Sequence, residues 1–428
     1  MQGHRGDPWT QGRGDDRVGR AQVVHHSGQR SGVFHAGRDH SRPRDLRRTR
    51  RTSTELRRAS STRGARVSAP FVEIVIACHD ESRPIERAVS SVLADDDVRD
   101  RVRVTVVAHG IDASSLASRL AEIPGDVRVV PFRDDIRSAA GPFNRGLDSV
   151  EAEYCGVMGS DDFLEPGVMS RWIAHVDAER PDAAIAQIRR QSHTIMPNPL
   201  VRLGRRVRLD AAKDRLFYRT APLGLIRTER MRALGLRMVE GMRVGEDFDF
   251  GIRLWAHGGR IDFLGGMGSY VIGEDARQRT TESTMTMTER FEPITRLFQD
   301  GVFAALSPAY RQALAIKLIR VSIVGTAQAV VDTNPPDGDV AEVAALLRRL
   351  LQEAPRALSP FNRRDRWVLD GLLDEPTSAR MVADVRRAQR AGRWGRWFTP
   401  DLVHSFARES TLRRYVLYYC KRERGRKM

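Results

Sequence analysis

The stretch VEIVIACHDE at residues 72–81 joins a run of β-branched and other apolar residues to three polar ones. A run of this kind is typical of a strand buried in a parallel sheet. A helical pattern that begins with a proline follows it at residues 84–93. Short apolar runs then alternate with helical patterns along the chain, as they do in βαβ units. Residues 72–81 therefore predict the first strand of an α/β fold with a doubly wound, mostly parallel sheet.

The same alternation predicts the other elements of the sheet and its helices. Strands are predicted at residues 72–77, 102–107, 127–131, 154–158 and 183–188, and a further strand-like run covers 223–227. Helices are predicted at residues 84–93, 114–122, 142–150, 166–179, 229–234 and 247–257. Doubly wound sheets bind their ligands beyond the carboxyl ends of the strands. The loops after residues 77, 107 and 158 are therefore expected to carry the chemistry.

Composition divides the chain into four parts. Residues 1–68 are rich in Gly, Arg, Ser and His without helical or strand periodicity, which predicts a disordered tail. Residues 69–290 hold the α/β pattern, residues 291–410 predict a helical domain or appendage, and residues 411–428 form a basic, aromatic tail. The most apolar run, 314–331, is interrupted by Lys317 and Arg320. It predicts a buried amphipathic helix and not a membrane span.

The distribution of charge limits the nucleic-acid interpretation. The chain carries a net charge of +16, of which +10 lies in residues 1–68 and +6 in residues 411–428. Residues 69–410 are therefore neutral, and a neutral body has no general electrostatic footprint for a polyanion. This favours small-molecule chemistry in the body. A binder of nucleic acid or of anionic surfaces that acts through the basic tails is the alternative from a different class.

Cysteine usage and the terminal segments bear on the compartment. Three cysteines are too few, and too odd in number, for a disulfide framework, and residues 1–20 lack the apolar core of a secretory signal. Both features predict a cytoplasmic protein. Residues 412–422 interleave tyrosines with basic side chains, which suits a helix lying peripherally on the inner face of the plasma membrane. The alternative is a last helix that packs on the core and ends in a frayed basic turn.

Two pairs of acidic residues are the candidates for catalysis and metal binding. Asp161-Asp162 follows the predicted strand 154–158, and adjacent carboxylates repel unless a cation or donors separate them. A hard divalent ion, Mg²⁺ or Mn²⁺, would relieve that repulsion. The alternative is an Asp-Asp turn that caps the next helix. Glu246-Asp247 opens a predicted helix, where the helix dipole favours acids, so ordinary capping is the alternative there as well.

Four ordered motifs together resemble those of the family 2 glycosyltransferases of the GT-A fold, over roughly residues 70–282. The motifs are Ile74-Val75-Ile76-Ala77-Cys78-His79-Asp80-Glu81, Gly141-Pro142-Phe143-Asn144-Arg145-Gly146-Leu147, Ser160-Asp161-Asp162 and Gly245-Glu246-Asp247-Phe248-Asp249-Phe250. The resemblance implies inverting transfer of a sugar from a nucleoside-diphosphate sugar to a hydroxyl of a saccharide or lipid-linked acceptor. Such a reaction belongs to the synthesis of cell-surface polysaccharide or glycolipid.

The resemblance also implies roles for single residues. Asp247 would be the general base, Glu246 would orient the acceptor, and Asp161 with help from Asp162 would hold Mg²⁺ or Mn²⁺. The residues implied to bind the donor are His79, Asp80, Glu81, His109, Asn144, Asp161 and Arg279.

The chain departs from the family's pattern at two places. Where the family has an Asp-Asp-Gly-Ser-like turn after its second strand, this chain has Ala108-His109-Gly110-Ile111, which leaves the nucleotide base open. Gly159 stands where the metal motif usually begins with Asp. The loss of that ligand implies a weaker hold on the ion. It also leaves a catalytically inactive GT-A scaffold as an alternative function.

Overall fold

The predicted first strand is β1, Val72–Cys78, which lies inside a seven-stranded sheet. The computed structural model describes residues 69–192, 195–275 and 285–426, without the side chains of 422–426. Two predictions lie outside the described residues, namely the disordered tail at 1–68 and the donor-binding role of Arg279.

Eleven strands occur in the described ranges, and they form two sheets. The strands are β1 Val72–Cys78, β2 Val102–His109, β3 Asp126–Phe132, β4 Tyr154–Gly159, β5 Phe163–Leu164, β6 Ala183–Ile185, β7 Gln187–Arg190, β8 Ile195–Met196, β9 Gly224–Arg227, β10 Ile261–Phe263 and β11 Ser269–Ile272. The large sheet has the order β10-β6-β9-β4-β1-β2-β3, and the small sheet has the order β5-β11-β7-β8.

The large sheet is parallel except for β9, which runs antiparallel to β4 and β6. Its register places Ala77 of β1 beside Gly159 of β4, and Cys78 beside Ala108 of β2. Because these three strands end level with one another, the loops that follow them leave the sheet at one edge.

The small sheet explains where the strand prediction fails. Residues 183–188 do not form one strand, because β6 pairs with β9 in the large sheet whereas β7 pairs with β11 in the small one. Ala186 lies at the change of sheet, where its N–H donates to the carbonyl of Leu223 at 3.0 Å. The short strands β5, β8, β10 and β11 were not predicted.

Fifteen α-helices occur in the described ranges. In the α/β part these are α1 Ile85–Val92, α2 Ala113–Leu120, α3 Ala140–Asp148, α4 Val168–Glu179, α5 Thr228–Ala233 and α6 Phe248–His257. They are followed by α7 Met287–Gln299, α8 Val302–Ala305, α9 Pro308–Leu318, α10 Gly325–Ala329, α11 Asp337–Glu353, α12 Arg363–Asp374, α13 Ser378–Gln389, α14 Arg393–Trp397 and α15 Thr411–Arg426. A π-helical segment, Ile319–Val324, joins α9 to α10, so the buried helix predicted at 314–331 is observed.

Two hydrophobic clusters cover the two faces of the large sheet, as the period of two in a strand requires. Ile74 and Ile76 of β1 pack in the cluster of α1, α2 and α4, while Val75 between them packs with α3 and α6 on the other face. The C-terminal helices join this second cluster, for example through Leu314 and Leu347. The prediction of an α/β fold with a mostly parallel sheet and a helical C-terminal region is confirmed.

The helical region shares its core with the α/β part, and Ala69–Met428 form one compact unit. The finer division of this unit at residues 290 and 410 stays a prediction. None of the helices in the described ranges combines the length and apolar content that crossing a bilayer requires.

Candidate active site

Four side chains gather where β1, β2 and β4 end. Arg83, which is buried, forms an ion pair with Asp161, with 2.8 Å between Nη1 and Oδ2. His79 lies on the loop after β1 and is exposed, yet partial burial and then the charge of Arg83 lower its pKa. His109 and Asp161 act on the same imidazole. The structure therefore brings together His79, His109 and Asp161, and it adds Arg83.

Asp162 turns away from this group and binds β11 and the residues after it. The hydroxyl of Tyr270 donates to Oδ2 at 2.5 Å, and the N–H of Gly273 donates to Oδ1 at 2.9 Å. Burial raises the pKa of Asp162 to about 6, and the charge of Asp161 adds to this, although the bond from Tyr270 opposes it. Both oxygens of Asp162 already accept hydrogen bonds from the protein.

The capping alternative for Asp161-Asp162 does not describe the structure. Helix α4 follows Gly167, whose N–H donates to Oδ1 of Asp95 at 2.9 Å. Oδ2 of the same aspartate accepts from the N–H of Ser170 at 3.0 Å. Because Asp95 supplies the cap, the acidic pair is left for another use.

Gly159, the departure from the family's pattern, is coupled to the position of Asp162. A Cβ at residue 159 would lie 2.7 Å from Oδ2 of Asp162 and 3.3 Å from Oδ1 of Asp161. The N–H of Gly159 donates to the Tyr270 hydroxyl at 3.1 Å. Only a residue without a side chain leaves room for Asp162 to fold back onto Tyr270.

The carboxylates at this edge limit the kind of cation site that can form. Within the described ranges, no cluster of three or more His, Cys, Asp or Glu side chains lies together as a metal cage. Asp162 is engaged by Tyr270 and Gly273, and Asp161 contacts Arg83. Mg²⁺ is commonly held by one or two carboxylates together with substrate phosphates. The residues therefore fit an ion held by Asp161 and completed by a diphosphate, and they do not fit an all-protein site.

A second arginine, one helical turn after Arg83, holds the backbone at Asp161. Arg87 Nη2 donates to the carbonyl of Asp161 at 2.5 Å, and the same guanidinium pairs with Asp275 at 2.5 and 2.9 Å. Asp275 is the last described residue before the segment that contains Arg279. Neither arginine was predicted. Their spacing of four residues at the start of α1 is the signal that was available.

His109 is paired with an aspartate that the sequence analysis did not find. Its Nε2 lies 2.7 Å from Oδ1 of Asp134, and its ring lies 5.5 Å from that of Phe132. Burial raises the pKa of Asp134, but the N–H of Ile136 and the imidazole outweigh this and lower it. A His-Asp pair thus lies after β2 and β3, where the family has its Asp-Asp-Gly-Ser-like turn.

Three other residues predicted to bind the donor make contacts within the protein. Asp80 Oδ1 accepts from the N–H of Ser82 at 2.8 Å, and Glu81 is exposed. Asn144 is buried and donates to the Met238 carbonyl and to Glu240, both at 2.9 Å, while it accepts from the N–H of Met238 at 2.9 Å. These contacts make Asn144 a support for residues 238–240. Direct roles of the three residues in donor binding stay predictions.

Glu246 and Asp247 form a second group at the start of α6. Asp247 is the N-cap residue, but its side chain makes no capping hydrogen bond, so capping does not account for the pair. Burial raises the pKa of Glu246 to about 7, with a further contribution from Asp247. Burial also raises the pKa of Asp247, against opposing contributions from the Lys317 charge and a hydrogen bond from Thr220. One carboxyl of this pair therefore exchanges its proton near neutral pH.

Helix α3 contacts residues of both groups. At its start, a Cβ on Gly141 would lie 2.4 Å from Oδ2 of Asp134. One turn later Asn144 holds residues 238–240, and Val239 N–H donates to the Glu246 carbonyl at 2.9 Å. Asp161 and Asp247 thus belong to different groups, which this helix connects through Gly141 and Asn144.

Comparison with known proteins places this arrangement in context. Residues 69–290 match the model of the family described as Glycosyltransferase like family 2. The succinoglycan biosynthesis protein ExoU of Rhizobium meliloti (strain 1021) is 28% identical over 209 aligned residues, and the match covers 45% of this chain and 58% of ExoU. ExoO of the same strain is 29% identical over 212 aligned residues, and the match covers 45% of this chain and 57% of ExoO. The chain therefore spans less than two thirds of these curated relatives.

Solved structures with the same fold include those of S. aureus TarS. The crystal structure of TarS 1–349 in complex with UDP-GlcNAc has a TM-score of 0.60 at 15% identity, and the match covers 74% of this chain and 90% of that one. A further TarS crystal structure has a TM-score of 0.58 at 16% identity, with 74% and 54% covered. At these identities the likeness shows the fold.

Proposed function

The chain belongs to glycosyltransferase family 2, and from that premise we propose that it transfers a sugar from a nucleoside-diphosphate sugar to an acceptor hydroxyl with inversion at the anomeric carbon. The observation that carries the proposal is the pair of acidic groups that α3 connects. One group places Asp161 among arginines and imidazoles, and the other presents carboxyls whose pKa values are raised. These are the environments that a leaving diphosphate and an incoming alcohol require.

The Asp161 group suits the donor. Arg83 and Arg87 place two guanidinium groups at this carboxyl end of the sheet, where a diphosphate would pair with them. Asp161 would hold Mg²⁺ or Mn²⁺, which when bound neutralises charge on the departing diphosphate. His79 and the His109-Asp134 pair lie at the ends of β1 and β2, where the nucleoside would lie.

The Asp247 group suits the acceptor. The acceptor oxygen forms a bond to the anomeric carbon as the bond from that carbon to the diphosphate oxygen breaks, and the electron pair leaves with the diphosphate. Asp247 takes the hydroxyl proton, and Glu246 hydrogen-bonds the acceptor. A base is most effective when its pKa lies near the working pH. The pKa of Asp247 is raised from its ordinary value, and so it is shifted towards neutral pH.

The relatives suggest the class of acceptor. ExoU and ExoO are named as succinoglycan biosynthesis proteins. A growing saccharide, free or lipid-linked, is therefore the proposed acceptor, and surface polysaccharide or glycolipid synthesis at the cytoplasmic face is the proposed setting.

One region of the surface favours peripheral membrane association. Among the described residues, six of the nine exposed large hydrophobic side chains lie in one short part of the chain: Trp394, Leu402, Val403, Phe406, Val416 and Tyr419. Residues 386–426 hold 12 basic and 3 acidic side chains. Apolar side chains that protrude from a cationic surface suit an anionic bilayer. We name residues 386–426 the cationic apolar region.

This region only partly overlaps the predicted tail at 411–428. Trp394, Val403 and Phe406 precede the tail. Within the tail, Arg414 is buried against Glu409, with 2.9 Å between Nη1 and Oε2. The start of α15 therefore packs on the core, and we propose that α14 and the turn at Leu402–Phe406 insert into the bilayer.

Donor binding and turnover test the proposed function. The full chain is mixed with UDP-GlcNAc, UDP-glucose, GDP-mannose and dTDP-glucose, each with and without Mn²⁺, and thermal unfolding is followed. A true donor at 100 times its Kd stabilises the fold by about 2.7 kcal/mol. Asp247→Asn should lower transfer and donor hydrolysis by about 10²- to 10⁴-fold while donor binding is kept. Asp300→Asn, at an exposed carboxyl, is the control. If no nucleotide sugar binds, the inactive scaffold is the better account. If Asp247→Asn retains turnover, Asp247 is not the base.

Flotation with liposomes tests the membrane proposal. Wild type is expected to float with phosphatidylglycerol vesicles and not with phosphatidylcholine vesicles, and the double substitution Val403→Ser with Phe406→Ser should abolish flotation. The matched control is Leu203→Ser with Val207→Ser, because these side chains are also exposed but lie on the α/β part. Equal flotation of the two double variants would contradict the assignment.

A further inference from the structure

Lys317 carries a buried charge that the steps above do not use. It lies in α9 with only 3% of its side chain exposed, and its Nζ is 4.0 Å from the centre of the Phe248 ring. In the described part of the chain its ammonium makes no hydrogen bond. An ammonium removed from water without a hydrogen-bonded partner is costly, so the position of this one calls for an explanation.

The contact with Phe248 places Lys317 against the first turn of α6, which directly follows Asp247 in the chain. A second helix of the C-terminal region supports the same loop, because a Cβ on Gly245 would lie 2.7 Å from Cγ of Pro293 in α7. Gly245 also has a φ of 73°, in the left-handed region that favours glycine. The helical region thus forms the wall behind the Glu246-Asp247 pair.

We propose that Lys317 is a positioning residue, whose charge keeps the Asp247 carboxylate ionised in its buried position so that it can act as the base. This inference rests on the proposed function of Asp247. It gives the C-terminal helices a part in the chemistry that the family motifs do not contain, since Lys317 lies beyond the matched residues 69–290.

The charges around Asp247 agree with this role. Burial raises the pKa of Asp247, while Lys317 opposes the rise and Thr220 donates a hydrogen bond. Glu246 is the neighbouring acid, and burial together with the Asp247 charge raises its pKa to about 7. Burial lowers the pKa of Lys317 to about 8, with Asp247 opposing. At pH 7 the lysine therefore remains mostly protonated and favours the anion beside it.

A direct titration tests the inference without any substrate. The full chain is labelled with ¹³C at aspartate carboxyls, and the Asp247 signal is assigned by its loss in Asp247→Asn. Lys317→Met should shift the titration of Asp247 to higher pH, whereas Lys317→Arg, which keeps the charge, should leave it near the wild-type position. An unchanged Asp247 titration in Lys317→Met would overturn the inference. If that variant does not fold, Lys317→Gln, which keeps polarity without charge, replaces it.

The pH profile of turnover separates this inference from the proposed function. Each unit by which the Asp247 titration moves changes the ionised fraction on the acid side about tenfold. Lys317→Met should therefore lose about tenfold in kcat at acid pH and recover at alkaline pH. A merely structural lysine would give a uniform loss at every pH. If Asp247→Asn keeps turnover, the proposed function of Asp247 fails; if only the shift on Lys317→Met is missing, this inference alone fails.

Discussion

Carboxylates that are completely buried in one region of this molecule and partly buried in another differ in the direction in which the fold moves their pKa values. Around β10 and residues 202–214, the pKa values of Asp214 and Asp262 are lowered although both side chains are completely buried. At the candidate site, the pKa values of Asp162, Glu246 and Asp247 are raised. Both regions remove acids from water, so burial alone does not decide the direction.

The difference lies in the donors that each acid receives. Burial raises the pKa of Asp262, but His175 and Arg260 and the N–H of Arg208 reverse the effect. His175 lies at 3.2 Å, Arg260 at 2.9 Å and the Arg208 N–H at 2.8 Å. In the same way, Oδ1 of Asp214 accepts a hydrogen bond from Nε of Arg202 at 2.8 Å. Among the described contacts, Glu246 and Asp247 have no comparable set of hydrogen-bond donors. Ionisation of these two carboxyls therefore lowers the stability of the fold.

This contrast separates structural acids from functional ones. An acid that the fold compensates fully contributes stability, and one that is left short of donors lowers stability unless it works with a ligand or a proton. Substitution of Asp262 and substitution of Glu246 should therefore change stability in opposite directions.

The largest effect is expected at Asp262. Asp262→Asn leaves Arg260 without its buried partner and should lower the free energy of unfolding by about 3 to 5 kcal/mol at pH 7. Because the folded pKa is lowered, the contribution is present above the unfolded value of about 3.9 and is lost as the pH falls through the folded pKa. Urea unfolding at pH 7 and at pH 2, below the unfolded value, measures this. Asp300→Asn, with an exposed carboxyl, should change little, and an equal loss in both variants would break the comparison.

A gain of stability is expected at Glu246. Its folded pKa of about 7 lies above the ordinary value of 4.5, so the folded chain holds a proton that the unfolded chain releases between these values. Stability therefore falls as the pH rises across that window. Glu246→Gln should stabilise the fold by about 2 to 3 kcal/mol at pH 8 and by almost nothing at pH 4. Unfolding at the two pH values tests this, with Glu122→Gln as the exposed control. A loss of stability at pH 8 would place Glu246 with the structural acids.

The smallest effect is expected at Tyr270. Tyr270→Phe removes one of the two hydrogen bonds to Asp162 that the structure shows, so the pKa of Asp162 should rise further above about 6. The expected loss of stability is about 1 to 2 kcal/mol at pH 8, where Asp162 is ionised, and it should shrink at pH 5. Tyr419→Phe is the control, because that side chain is exposed. If the loss of stability does not depend on pH, Tyr270 contributes through packing and not through its hydrogen bond to Asp162.

The sequence predicted those parts of the molecule that have local signals. The parallel strands β1 to β4, and the helices between them, follow from short apolar runs and helical periods, and they lie within a few residues of their predicted bounds. The small sheet was missed because β5 and β8 have two residues each, and β5 forms by pairing with the distant strand β11. No local pattern marks such pairing.

The same distinction holds for the site. The acidic pairs at 161–162 and 246–247 were found because each follows a local motif. The partner of Asp162 is Tyr270, which lies 108 residues away, and Asp134 approaches His109 only through the neighbouring ends of β2 and β3. Lys317 left one trace, a charge inside an apolar run. Its role could be inferred only from the contact between Lys317 of α9 and Phe248 of α6.

Because of the contact at Gly159, the effect of a substitution at residue 159 depends on which residue stands at position 270. An aspartate introduced there would meet the present Asp162 carboxylate at 2.7 Å, measured from its Cβ. Asp162 would have to swing out, and the Tyr270 hydroxyl would lose its acceptor in the same step. A path towards a metal motif with one more carboxylate therefore begins more easily at residue 270 than at residue 159, and the order of substitutions decides whether the intermediates fold.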